Sequence, residues 1–255
     1  MFHVKQYKNF FKGLTTYSFY GIIYLEMKGD FTMTDKIDKR KNYYVVLDTE
    51  TTNGFDDPLV YDCGFAVVDK KGNVYERFSF VNRDVFCKMK DLMQSAYYAD
   101  KIPTYWEQIK NGTRKVATYY TIRKTLHDVC EKYNVKAIMA HNMRFDYNAT
   151  QTTQRYLTKS KYRWFLPYGI ELWDTLKMAY DTICKQKSYR EWCFANGYIT
   201  NNGRPQATAE VLYKYISGND DFIESHTALE DVEIEKEIFA HCMAQHKPMR
   251  KKCFK

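Results

Sequence analysis

The 255-residue sequence has no stretch approaching the roughly 20 consecutive apolar residues that cross a bilayer, so no membrane helix is expected. It has no Cys-x-x-Cys pair: its seven cysteines, at 63, 87, 130, 184, 193, 242 and 253, are scattered. That scatter argues against a zinc site or a disulfide framework and suits a reducing, cytoplasmic setting. Internal repeats, low-complexity runs, and polymerase or helicase motifs are also missing. What is present is an apolar fraction of 45%, ample for a core, and 23 tyrosines. These read mostly as half-buried packing residues, although such rings also suit base stacking.

The net charge of +8 is unevenly spread. Residues 1–40 hold seven basic groups against four acids, residues 247–255 hold five basic groups and no acid, and 41–246 is balanced. Within that balanced part, 101–163 carries thirteen Lys and Arg against four acids, whereas 217–238 carries eight acids against Lys236. A basic half beside an acidic cluster suits a phosphate backbone led toward a metal site; ordinary solvated helices would read the same way. Three segments are expected: an appendage over 1–40, a domain over 41–246 and a basic tail over 247–255. In the first, Phe10 to Met27 is apolar but broken by Lys12, Thr15, Thr16 and Ser18, a poor signal peptide. Lys28-Gly29-Asp30 can be encoded AAA-GGA-GAT, which resembles a ribosome-binding site. Met33 follows at a suitable distance and is the expected natural start, with 1–32 a translated leader or at best a loose appendage.

The chain is organised around Tyr43 to Thr52. An apolar run to Leu47 reads as a buried strand and ends in Asp48 and Glu50. Residues i and i+2 of a strand point to one side, so both acids face one point. Two such anions repel unless a cation lies between them. An all-oxygen ligand set favours Mg²⁺ or Mn²⁺. Taken alone, a strand end with two solvated acids fits the same residues.

Val60–Val68 and Tyr75–Val81 read as two further strands, joined by a hairpin turn at Asp69–Asn73. Residues 82–116 form a basic, aromatic connection of open structure. Helical spacing over 117–133 precedes a short strand at 136–140 and a helix over 146–158. A strand at 169–173 follows, with Asp174 capping a helix that reaches Cys184. Helices are expected over 188–196, 208–217 and 227–245. The fold class is therefore α/β: a mixed sheet of about five strands, the first three antiparallel and the first central, flanked by helices.

Two later stretches carry chemistry. Ala140-His141-Asn142 leads from a buried strand into Phe145-Asp146 at the opening of a helix, where a carboxylate can cap the helix or reach a metal. Asp231 shares a helical face with Ile238 and Cys242, and an acid beside an apolar stripe needs a partner. His226 lies five residues before it, about 140° round an ideal helix, so it belongs to the loop or first turn.

In this order, Leu47-Asp48-Thr49-Glu50-Thr51-Thr52, Ala140-His141-Asn142 with Phe145-Asp146, His226 with Asp231, and Asp174-Thr175-Leu176 resemble the DEDDh family of 3′–5′ exonucleases. That family includes the proofreading epsilon subunit of bacterial DNA polymerase III, ribonuclease T and oligoribonuclease. The resemblance spans about 43–245. It departs from the family at Asn53, which displaces a glycine, and in the polar helix after Asp146. It implies a ribonuclease H-like fold and a centre of two divalent ions, Mg²⁺ or Mn²⁺, held by Asp48, Glu50, Asp146 and Asp231. It also implies His226 as general base, with Thr51 and Asn142 touching the terminal nucleotide. The implied activity releases nucleoside 5′-monophosphates from single-stranded 3′ ends, DNA before RNA or short oligonucleotides. An inactive nucleic-acid-binding protein is the reading of another class. Phe55, Phe145 and Tyr147 are stacking candidates. The basic region 101–163 and the tail are candidates for backbone contacts. A stand-alone enzyme is the first expectation, and a DNA polymerase or replication complex is the partner the resemblance suggests.

Overall fold

The structure, a computed structural model, describes residues 37–52, 57–159 and 163–254. The expectations about Met33, the 1–32 leader and Phe55 lie outside the described residues. The fold belongs to the unit Lys39–Lys255.

Strands β1 (Tyr43–Thr52), β2 (Leu59–Asp69) and β3 (Val74–Asn82) form the antiparallel meander. The β2–β3 turn closes as expected: Gly72 takes φ +81°, its N–H donates to the Asp69 carbonyl at 3.0 Å, and the Asp69 carboxylate accepts from the Lys71 N–H at 2.8 Å. The left-handed φ needs glycine.

Residues 82–116 fold into short helices: α1 (Arg83–Phe86), α2 (Lys90–Gln94), a 3₁₀ turn at Ala99–Lys101 and α3 (Ile102–Lys110). They bury Val85, Phe86, Met93 and Tyr105 against Leu59, Tyr61 and Val81. The segment ends in β4 (Lys115–Ala117), parallel to β3. The sheet therefore has six strands, in the order β4-β3-β2-β1-β5-β6, one more than the pattern suggested. Strand β4 is an edge of three residues with Lys115 and Val116 exposed, too short to show alternation.

The rest follows the expected alternation: α4 (Tyr119–Lys132), β5 (Ala137–Ala140), α5 (Met143–Thr158), β6 (Glu171–Asp174) and α6 (Thr175–Thr182). After them come α7 (Lys187–Ala195), α8 (Ala209–Ser217) and α9 (Ala228–Ala244). Strand β5 runs parallel to β1, so β1 is interior. Asp174 caps α6 through the N–H groups of Leu176 and Lys177. On one face of the sheet Tyr44, Val46, Ala66 and Met139 pack with Met178, Leu212, Val232, Ile238 and Phe239 of the helices. By strand alternation the same face carries Asp48 and Glu50.

The polar helix α5 has a structural reason. The β1–β2 register slips between Glu50 and Thr51, so Asp62 pairs with Glu50 and Val60 with Thr51. Tyr61 is the extra residue of this bulge. The buried Thr153 hydroxyl accepts the Val60 N–H at 2.8 Å, which a regular ladder would have occupied.

Residues 247–254 do not hang free. The Lys251 carbonyl accepts the Asp174 N–H at 2.7 Å, and the Cys253 N–H donates to the Leu172 carbonyl at 2.8 Å. The segment covers the β6 edge. Arg250 pairs with Asp181 at 2.8 Å and Lys252 with Glu171 at 2.5 Å.

Candidate active site

The last residues of β1 form the floor of the site. Oxygens of Asp48, Glu50 and Asp231 lie within 4.8 Å of one another, close enough to share one ion. Asp48 and Glu50 arrive together by strand alternation. Asp231 arrives on α9, and two features of β2 bring it in. Gly64 stands opposite Asp48 in the ladder. A Cβ there would sit 2.4 Å from the Leu229 nitrogen and 2.5 Å from the Ala228 carbonyl carbon. Only a bare backbone lets the helix start come so near. Asp62, next but one along β2, accepts the Ala228 N–H at 3.0 Å. A helix N-terminus favours such a negative charge. Neither Gly64 nor Asp62 stood out in the sequence.

Asp62 is itself fully buried, at 0% exposure. Arg114 meets its two oxygens at 2.5 and 2.6 Å, and the Tyr105 hydroxyl donates to it at 2.8 Å. Arg114 also reaches Glu230 at 3.0 Å. This arginine was counted with the basic surface of 101–163, but the fold places it inside.

His226 lies in the loop just before α9, as its spacing required, with φ +50°. Oxygens of Glu224 and Asp231 and a ring nitrogen of His226 lie within 4.8 Å of one another. Its Nδ1 is 3.7 Å from Glu224 Oε2. The segment 82–116 reaches the same place. The Tyr98 ring stacks on the imidazole, with centroids 4.8 Å apart and planes 14° apart. Lys101 donates to the Ser225 and His226 carbonyls, and its ammonium sits 4.2 Å from the Tyr98 ring centre. Tyr98 and Lys101 were invisible as site residues, because nothing local in the sequence ties them to His226.

Asp146 is buried in the first turn of α5 and accepts from the Thr49 hydroxyl at 2.8 Å. Thr49 points to the opposite face from Asp48 and Glu50. Asp146 thus adjoins the cluster electrostatically without joining the trio of Asp48, Glu50 and Asp231. Asn142 is exposed and caps α5 through a left-handed φ of +70°. Its N–H donates to Asp174 at 3.3 Å. Thr51 is half-buried just past the bulge. Phe145 is half-buried, and Tyr147 packs edge-on against Phe254 at 5.0 Å.

One acid of the site was missed. Glu235 stands one turn after Asp231 and is 3% exposed. The spacing 231, 235, 238, 242 was available as a single helical stripe, but Glu235 was absorbed into the acidic run.

Electrostatics follow from this crowding. Burial first, then Asp231 and Asp62, push the Glu50 carboxyl up to about 9. Burial, then Glu224 and Glu230, push Asp231 up to about 8, and burial raises Asp146 to about 7. Asp48 and Glu235 are driven well above the ordinary carboxylate range by burial and by Asp146. Lys101 partly offsets this at Glu50 and Asp231. His226 moves the other way: partial desolvation, then Lys101, lower it. The donor set is all oxygen apart from one imidazole, which fits hard divalent ions. Asp48 and Glu50 are half-buried and Asp231 is buried, and carboxylates held this close call for cations.

The fold has known counterparts. The nuclease domain of 3′hExo, described as a DEDDh family member and bound to rAMP, aligns over 84% of this chain and 98% of its own, at 13% identity and a TM-score of 0.54. A full-length 3′-exonuclease aligns over 83% and 85%, at 13% identity and a TM-score of 0.55. The fold is that of DEDDh exonucleases. No family model matches the sequence, and no curated protein sequence matches it significantly. The likeness therefore lies in architecture, the mixed sheet and its helices, rather than in sequence. Among the described residues no helix is long and apolar enough to cross a membrane.

Proposed function

We propose that this protein is a metal-dependent 3′–5′ exonuclease that removes nucleoside 5′-monophosphates from single-stranded 3′ ends, DNA in preference to RNA. The observation that carries the reading is the meeting of Asp48, Glu50 and Asp231 within 4.8 Å, with His226 beside Asp231, on this fold. Asp48, Glu50 and Asp231 would hold one divalent ion, and Asp146 would serve a second through Asp48 or water. When bound, such ions supply charge to the phosphate and ease ionisation of a water.

The residues of the chain do the rest. His226, kept neutral by its lowered pKa, takes a proton from the attacking water through a ring nitrogen. The water oxygen bonds to phosphorus, the bond to the 3′ oxygen breaks, and that oxygen leaves to be protonated. Glu224 and the stacked Tyr98 orient the imidazole. Lys101 fixes the backbone that carries it. Thr51 and the exposed Asn142 flank the place where the last nucleotide would sit.

The test is incubation of the purified protein with Mn²⁺ or Mg²⁺ and with 5′-labelled and 3′-labelled DNA and RNA oligonucleotides. Expected are a descending ladder from the 5′-labelled strand, release of labelled mononucleotide from the 3′-labelled one, and faster loss of DNA. Full-length strands after prolonged incubation with both metals sink the reading.

A further inference from the structure

A cavity of about 700 Å³ opens between α4, the end of α5 and the connection that follows β3. Its walls are tied together. The Tyr119 hydroxyl donates to the Thr150 carbonyl at 2.9 Å, joining α4 to α5. The Asp84 carboxylate accepts the Tyr119 N–H at 3.0 Å, joining α4 to α1. Gln154, on the α5 wall, stands eight residues after Asp146, about 12 Å along the helix axis. The cavity is therefore separate from the acids at the end of β1.

Its lining carries surplus positive charge. Asp84 is already matched, with one oxygen accepting from Lys88 at 2.7 Å and the other from the Tyr119 N–H. Arg123 and Arg163 line the same cavity. Arg123 donates through Nε to the Trp164 carbonyl at 2.6 Å, which holds its guanidinium in place. Its terminal nitrogens have no partner among the described residues, and neither has the Arg163 guanidinium. Two unmatched guanidinium groups suit phosphate oxygens.

The other polar groups fit a base. Gln154 is 4% exposed, and its amide has no hydrogen-bond partner among the described residues. A buried amide is costly unless it is met. It offers a donor beside an acceptor, the pair that matches a base edge. Tyr120, also in the lining, is 66% exposed and presents a ring on which a base can stack. The volume lies within the range of small-ligand sites, roughly 300–1,000 Å³.

We propose that this cavity binds a nucleotide, with phosphate on Arg123 and Arg163 and the base on Tyr120, its edge toward Gln154. The nucleotide is either a unit of a single strand whose 3′ end lies at Asp48 or a free nucleoside 5′-monophosphate. Only the first source rests on the nuclease reading.

The experiment uses the full chain without divalent metal, so that no strand is cut. Fluorescence anisotropy follows a labelled dinucleotide and a long oligothymidylate, and calorimetry follows adenosine and thymidine 5′-monophosphates. Arg123→Gln with Arg163→Gln should weaken the bound probe at least about tenfold. For a strand it should also lower the salt slope by roughly 1.4, at about 0.7 per phosphate contact. Gln154→Leu should weaken the same probe severalfold with the slope unchanged, since no charge is lost. Circular dichroism checks each fold. Arg190→Gln with Arg204→Gln, equal in charge and outside the cavity lining, is the control and should bind as the wild type does. With a strand as the source, the long probe loses affinity and the dinucleotide does not. With a free nucleotide as the source, the wild type takes up a monophosphate and the Arg123 and Arg163 substitutions abolish that uptake. Wild-type binding of every probe by the folded Arg123 and Arg163 variant overturns the proposal, as does an equal loss in the control, or a wild type that binds no probe. An unchanged affinity in Gln154→Leu overturns the placement of the base. Binding that needs the two arginines, in a protein that cuts no strand once Mn²⁺ is added, sinks the nuclease reading and leaves this proposal standing. Cutting with binding indifferent to them does the reverse.

Discussion

Glu50 and Asp62 stand opposite each other in the β1–β2 ladder, yet the protein treats them differently. Asp62 is closed in by Arg114, Tyr105 and the first amide of α9. Its charge is met by partners inside the fold, although burial still lifts its carboxyl above the ordinary range, and it serves to seat a helix. Glu50 faces Asp48 and Asp231, with Lys101 as a partial offset. Its balance must come from outside. Both sites gather acids, but the first is met by partners within the fold, and the second would be met by the cations of the proposed function.

The contrast can be broken in several ways. The largest effect is expected from Asp48→Asn and Asp231→Asn, which should abolish hydrolysis. In the absence of metal their melting temperatures should hold or rise, since each removes a carboxyl whose ionisation the fold disfavours. Initial rates and thermal melts read both outcomes, and a wild-type rate in either variant ends the assignment. His226→Ala should slow turnover by roughly 10²–10⁴, the usual worth of a general base, with Mn²⁺ affinity near that of the wild type. A full rate would remove His226 from the base role. Arg114→Met attacks the balanced side. Leaving Asp62 buried and unpaired should cost about 3–5 kcal/mol in chemical denaturation, and Arg114→Met with Asp62→Asn should recover part of that loss. A cost near zero would mean that the pair is not what balances Asp62.

The smallest effect is a pH trend. Asp146, Asp231 and Glu50 titrate near 7, 8 and 9 in the fold, above their unfolded values of about 3.9–4.3. The unfolded chain therefore gives up these protons first. Their contribution to metal-free stability is full below about pH 4 and declines as pH rises through the folded values. Saturating Mn²⁺ should flatten that decline. Melts from pH 5 to pH 9 with and without Mn²⁺ check it, and a metal-free melting temperature that rises over this range contradicts the crowding.

Much of this was legible before any coordinates. The strand ending in Asp48 and Glu50, the hairpin at Asp69–Asn73, the cap at Asp174 and the loop position of His226 follow from local rules of alternation, turn chemistry and helix spacing. Those rules operate within a few residues, so they announce themselves in sequence. The missed parts depend on long-range approach. Tyr98 and Lys101 meet His226 across more than a hundred residues of chain. Arg114 looked like surface charge because only the fold brings Asp62 beneath it. Strand β4 was missed because three residues, two of them exposed, carry no period. Glu235 is the exception. Its spacing from Asp231 was local, and it was overlooked because a run of acids disguised the face it shares with Ile238.

Position 64 shows how an activity can depend on a residue with nothing to contribute chemically. The start of α9 rests against β2 across the space where a methyl group would stand. Any side chain there would lift the whole rod, and the acid at 231 and the one at 235 would rise together, since both ride on it. A mutational survey that ranks positions by reactive groups would pass over this hydrogen atom, although the spacing of the entire centre is set by it.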